Sequence, residues 1–193
     1  MEMNTAVGEP GVITNPKLED TIALLARTPA GLDALLRDLP ARWTLGNEGE
    51  GTWNVVEVIA HLNHCERVDW ITRAKTILQF GESRKFDPLD RAGHLREMQG
   101  KPLGQLLDEF AILRSSNLDE LRTSNLHPAQ LELRGSHPAF GAVTLSELLA
   151  AWAVHDLTHL HQISRIMAHQ YCEAVGPWSA YLGVLHCNGH SSS

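Results

Sequence analysis

From Thr144 to Val175 the chain runs without a proline or a glycine, and apolar residues return at Leu145, Leu148, Leu149, Trp152, Leu160, Ile163, Ile166 and Met167. That spacing lies close to the 3.6-residue repeat, so the stretch reads as a long amphipathic α-helix. Its start is written in Thr144-Leu-Ser-Glu147, a capping box: the hydroxyl accepts an orphan backbone N–H and the glutamate reaches back to the cap. Gly176 and Pro177 end it. The rest of the chain must cover the apolar face of this helix.

The other periodic segments are helical too. Asn15-Pro16 is a helix start, with asparagine as cap and proline in the first turn. Leu18, Ile22, Leu25, Leu32, Leu35, Leu36 and Leu39 form its stripe, Thr28-Pro29 kinks or breaks it, and Pro40 closes it. Residues 41–53 read as a loop. Asn54-Val-Val-Glu57 repeats the capping box and opens a second helix to about Phe80, with Val55, Val58, Ile59, Leu62, Cys65, Val68, Ile71 and Ile77 on its apolar side. Gly81–Gly100 is a polar connection with room for a helical turn around His94–Met98; its length implies a crossover to a parallel helix. Pro102 begins a third helix, with Leu103, Leu106, Leu107, Phe110, Leu113, Leu118 and Leu121 on its buried face. Residues 126–143 read as an irregular connection, although the alternation at Leu131–Arg134 is compatible with a short strand. The expectation is an all-α, four-helix bundle with long crossover connections, one domain over 1–193 with loosely ordered ends at 1–14 and 184–193.

Sixteen basic against 23 acidic residues give a net charge of −7 with no basic stripe, which opposes nucleic-acid binding. No apolar run is long enough to span a membrane and Met1-Glu-Met-Asn-Thr5 lacks a signal pattern, so a cytoplasmic protein without membrane partners is expected. Cys65, Cys172 and Cys187 show no CxxC spacing, so neither a disulfide framework nor a thiolate zinc site is indicated.

The chemistry concentrates in Trp152–Gln162. His155 and His159 are four apart, on one helical face, and two such imidazoles grip one transition metal if another element brings a third ligand. The spacing alone is weak: the chain has 11 histidines, and His186 and His190 in the tail share it. His61 is the strongest third ligand, mid-helix on an apolar face. Three histidines leave positions open for water and substrate, as in catalytic rather than structural zinc sites. The alternative is three core histidines satisfied by hydrogen bonds. His64, three residues on, either flanks the site or, the preferred reading, faces solvent; Cys65 reads as a small buried hydrophobe rather than a fourth ligand or substrate contact. Asp156 stands where HExxH proteases carry a longer glutamate, which argues against a metalloprotease; it orients a ligand ring or pairs with a neighbouring helix. Gln162, one turn after His159, hydrogen-bonds a ligand or metal-bound water, or packs against polar neighbours. Glu57, one turn before His61, is either a hydrogen-bond acceptor supporting the site or, the preferred reading, explained by capping alone, and His161 and His169 have no assigned role.

Trp53-Asn54-Val-Val-Glu57-Val-Ile-Ala-His61-Leu62 resembles the first metal-ligand segment of the DinB/YfiT-like family. His137-Pro-Ala-Phe140-Gly141 through Thr144-Leu-Ser-Glu147, running on into His155-Asp156-Leu-Thr-His159-Leu-His-Gln162-Ile163, resembles the second. The resemblance implies a four-helix bundle, often a homodimer, holding a divalent transition metal (zinc or nickel) on His61, His155 and His159. It also implies a small-molecule substrate, with water or a low-molecular-weight thiol such as bacillithiol or mycothiol as the activated group: a hydrolase or a thiol S-transferase. The competing function is a non-catalytic metal-binding or dimeric interaction protein on the same fold.

Overall fold

The computed structural model describes residues 16–187. The expected cap Asn15, the end at 1–14 and His190 lie outside them. The first arm is two helices, α1 (Leu18–Leu25) and α2 (Thr28–Leu36), with Pro29 in the first turn of α2. Proline has no N–H for the carbonyl four residues back. That carbonyl, Leu25 O, instead accepts from Arg114 Nη1 at 2.8 Å. Part of the expected loop is a short helix, α3 (Ala41–Leu45).

The second arm opens on the expected capping box: Glu57 N donates to Asn54 Oδ1 at 3.0 Å and Asn54 N to Glu57 Oε2 at 2.8 Å. It is not one helix, however. α4 (Val55–Val68) and α5 (Trp70–Phe80) meet at Asp69, whose φ −106° and ψ −80° leave the helical region. Neither glycine nor proline marks the break in sequence. A local ion pair of Asp69 with Arg73 at 2.5 Å and one tertiary contact hold it: Trp70 is buried in a near-parallel stack on Trp152, 6.0 Å between centroids.

The polar connection that follows carries α6 (Gly93–Glu97), which packs on α4. The third arm is α7 (Leu103–Thr123), reached through Pro102. The next connection holds α8 (Pro128–Leu131) and, in place of the expected irregular chain, a hairpin of β1 (Arg134–His137) and β2 (Gly141–Thr144), in register from Arg134↔Thr144 to His137↔Gly141. The strand begins at Arg134, the last residue of the alternation that hinted at one. Gly135 fixes its place, since a Cβ there would lie 2.6 Å from Ile77 Cγ1 and 2.8 Å from the Phe86 ring. The fourth arm is α9 (Leu145–His169), capped as expected by Thr144 and Glu147.

Helix α4 packs on α7 and α9, α1 on α9, α2 on α7, and α5 on α9, so the four arms form the expected all-α bundle. One half of its core gathers around Trp152, Trp70 and Leu145, the other around Phe110, Ile59 and Ile163. Where the halves meet, the third helix departs from its apolar pattern. Arg114, at helical spacing from Phe110 and Leu118, is 1% exposed. Its guanidinium donates to both oxygens of Asp156 at 2.6 and 2.9 Å and to Glu66 Oε1 at 2.8 Å. Thr28 Oγ1 donates to Asp156 at 2.6 Å, Trp152 Nε1 to Glu66 at 2.9 Å, and Asn117 Nδ2 to Glu66 at 2.9 Å. Buried charge is tolerable only with such complete pairing.

Candidate metal centre

Helix α4 presents His61, and α9 presents His155 and His159 one turn apart. The structure brings all three together. The Nε2 atoms of His61 and His155 lie 3.2 Å apart and those of His155 and His159 3.1 Å apart; one ring nitrogen from each residue lies within 4.8 Å of the other two. Burial, then the nearness of other histidines, pushes the pKa of His61 down to about 3 and that of His155 down to about 2. Burial also lowers His159, against the opposing pull of Gln162 and Asp156. At neutral pH all three rings are therefore uncharged, the form in which imidazole binds metal.

Hydrogen bonding within the cluster leaves lone pairs over. His159 Nδ1 donates to Gln162 Oε1 at 2.8 Å, which puts its proton there and leaves Nε2 bare toward the other rings. His155 Nδ1 is buried with no partner among the described residues. A zinc–nitrogen bond of about 2.0–2.1 Å in tetrahedral geometry sets neighbouring nitrogens about 3.3 Å apart. The 3.1 and 3.2 Å separations match that spacing, so the residues present fit a divalent ion.

The remaining sequence candidates sort themselves by position. Gln162 holds the His159 ring and its tautomer, as outer-shell groups of metal sites do. Asp156 touches no histidine ring by hydrogen bond; it belongs to the Arg114 cluster, the neighbouring-helix pairing of the two roles expected for it. Glu57 caps α4 and also lines the cavity above the histidines. His64, expected to face solvent, is instead buried at 6% exposure, because α6 lies over it. A Cβ on Gly93 would come within 2.2 Å of its ring. Cys65 is 1% exposed with Sγ 3.5 Å from His61 Nε2, and burial followed by the nearby Asp69 and Glu66 pushes its thiol pKa up. It stays a protonated, buried group outside the three-histidine set. His161 and His169 are on α9 but not in the cluster.

A cavity of about 610 Å³ opens on the histidines, lined also by Trp53, Glu57, Leu89, Arg91, His94 and Leu95. Sequence reasoning missed two of its walls. Trp53 lies 5.0 Å from the His61 ring and 4.5 Å from the His94 ring, centroid to centroid. His94 is 4% exposed and donates from Nδ1 to Arg91 O at 2.9 Å. Trp53 stands directly before the α4 cap, a position that was available as a signal; His94 sits in a polar connection whose fold back over α4 nothing local announces.

Comparison with known proteins agrees with this architecture. Among solved structures, YfiT from Bacillus subtilis, described as a probable metal-dependent hydrolase with an unusual four-helix bundle topology, aligns with a TM-score of 0.65 at 22% identity. The alignment covers 84% of this chain and 95% of that one, and at such identity it speaks for the fold. A search of curated proteins returned no match. The family model of the DinB superfamily matches residues 24–163, most of the bundle and all three clustered histidines. This chain therefore belongs to the DinB superfamily.

Proposed function

We propose that the chain is a metal-dependent enzyme in which His61, His155 and His159 hold one divalent transition ion, zinc or nickel. The observation that carries this is the convergence of three uncharged imidazoles, Nε2 atoms 3.1 and 3.2 Å apart, on an open cavity. Imidazole ligands suit both metals. A bound ion supplies Lewis acidity, drawing the pKa of a water or thiol toward neutrality. The chain's own groups do the rest. Gln162 Oε1 keeps the His159 proton on Nδ1, so Nε2 is always free to bind. Trp53 and His94 wall the reaction space on one side and reduce its water. Trp152 ties α9 directly to Glu66 on α4 and Asp156 does so through Arg114, fixing the separation of His61 from the other two. The reaction supported is hydrolysis, or transfer of a low-molecular-weight thiol, on a small-molecule substrate.

Elemental analysis of protein purified without a histidine tag tests the reading. One transition metal per chain is expected, lost in His61→Ala, His155→Ala and His159→Ala while helicity by circular dichroism is retained. Hydrolysis and thiol-transfer screens with that metal follow. Absence of metal after incubation with zinc, nickel and manganese would defeat the proposal. A non-catalytic metal-binding protein is the second reading; the cavity beside the histidines favours the enzyme, since a purely structural site has no need of open coordination positions.

A further inference from the structure

We infer that Glu57 is the general base of this site: its free oxygen receives the proton of the attacking water or thiol. The inference rests on the reading of the three histidines as a metal centre. Glu57 and His61 are four apart on α4, so they share one face, a turn from each other. Helical side chains lean toward the N-terminus, which carries the His61 ring over the turn that holds Glu57. The carboxylate itself is fixed. Its Oε2 accepts at 2.8 Å from the backbone N–H of Asn54, directly after Trp53, whose ring lies 5.0 Å from the His61 ring. Its Oε1 has no partner among the described residues, and Glu57 lines the chamber on which the histidines open. No other described residue of that lining offers an open base. Glu57 is the one carboxylate there. His94 donates from Nδ1 to Arg91 O, and its other nitrogen is buried. The Thr52 hydroxyl donates to Gly49 O and accepts from Glu48 N. The two uses of Glu57 do not compete, since the cap takes one oxygen and the proton the other. In the step, the O–H or S–H bond of the nucleophile breaks and its proton goes to Oε1, while the electron pair forms the bond to the substrate's electrophilic atom. The proton then passes to the leaving group, which restores the carboxylate.

The test uses Glu57→Gln, because the glutamine oxygen still closes the capping box while an amide N–H₂, a donor, replaces the free acceptor. Full-length parent and variant are loaded with cobalt(II), and the visible spectrum of the ion reads binding. Each is titrated with acetohydroxamic acid, which brings N–H and O–H donors to the ion, and with azide, which brings none. Both bind the ion as anions, so deleting the Glu57 charge moves their affinities together and their ratio isolates the hydrogen bond. The preference for acetohydroxamic acid over azide is expected to fall about tenfold or more in the variant, with azide binding retained as the report of an intact site. In zinc-loaded protein, kcat for p-nitrophenyl acetate should fall about 10²–10⁴-fold with KM little changed. The inference is overturned if the ratio is the same in parent and variant, or if the two turn the ester over alike. A chain that takes up no metal fails earlier, at elemental analysis, and takes the metal proposal down with this one. A loaded chain with an unchanged ratio overturns the assignment of Glu57 alone.

Discussion

Replacing Arg114 with methionine removes the one cation from a buried cluster whose other charged members, Glu66 and Asp156, have side chains 1% and 2% exposed. Four hydrogen bonds are lost at once: one to Leu25 O, two to Asp156 and one to Glu66. Methionine fills much of the volume, so the dominant cost is two carboxylates left uncompensated in the core. Breaking a buried pair in this way costs roughly 3–5 kcal/mol. For a chain of this length, that is a fall of about 6–20 °C in Tm. Urea and thermal unfolding followed by circular dichroism at pH 7 measure it. A second variant separates charge from packing. Adding Glu66→Gln and Asp156→Asn to Arg114→Met removes the stranded charges while the amide oxygens still accept from Trp152 and Thr28, and at least half of the loss should return. If Arg114→Met stays within about 1 kcal/mol of the parent, or if the triple variant is no more stable than the single one, the reasoning is refuted.

Other expectations concern the site. Gln162→Leu deletes the acceptor on His159 Nδ1, and metal affinity should drop about 10–100-fold in competition with a chromophoric chelator; an unchanged affinity would mean that another group sets the ring. In metal-free protein, His61 at about 3 and His155 at about 2 lie below the 6.5 of an unfolded imidazole. The unfolded chain therefore takes up protons that the folded one refuses, and stability falls as pH drops from 6.5 toward 3, by up to about 1.4 kcal/mol per pH unit for each ring. Urea midpoints of chelated protein at pH 7 and pH 5.5 show this directly, and equal midpoints would contradict it. Gly93→Ala places a methyl group 2.2 Å from the His64 ring, so α6 must shift; a loss of about 1–3 kcal/mol is expected in thermal melts, together with altered Trp53 fluorescence. Unchanged melts would show that His64 moves aside freely.

What the sequence disclosed followed the range of the physics involved. Both capping boxes, Asn54 with Glu57 and Thr144 with Glu147, are local hydrogen-bond patterns, and both stand as read. The pairing of His155 with His159 is equally local, set by the helical repeat alone. His61 needed one further step, its place on an apolar face, and the structure sets it against the other two. Features made by distant contacts were hidden. The break at Asp69 depends on Trp70 meeting Trp152, 82 positions along the chain, and no residue near it forbids a helix. The hairpin turns on Gly135 fitting over Ile77 and Phe86. His64 was misread because α6 covers it. Arg114 was half legible: its spacing from Phe110 and Leu118 put it on the buried face, but an arginine there declares itself only once its partners are known.

Packed apolar helices have neighbouring arrangements of similar energy, reached by sliding one helix along another by a turn, about 5.4 Å. The guanidinium of Arg114 removes that degeneracy here. It is bonded to the end of α1, to α4 and to α9, while Thr28 at the start of α2 holds the same aspartate. A slide of any arm would strand a charge, so the cluster works as an indexing pin for the whole bundle. Its two carboxylates follow Cys65 and His155 directly in sequence, one on each helix that carries the clustered histidines. A change in the pin is thus transmitted as a misalignment between His61 and His155, and random substitutions that abolish metal uptake without touching a histidine should collect at Arg114, Glu66 and Asp156.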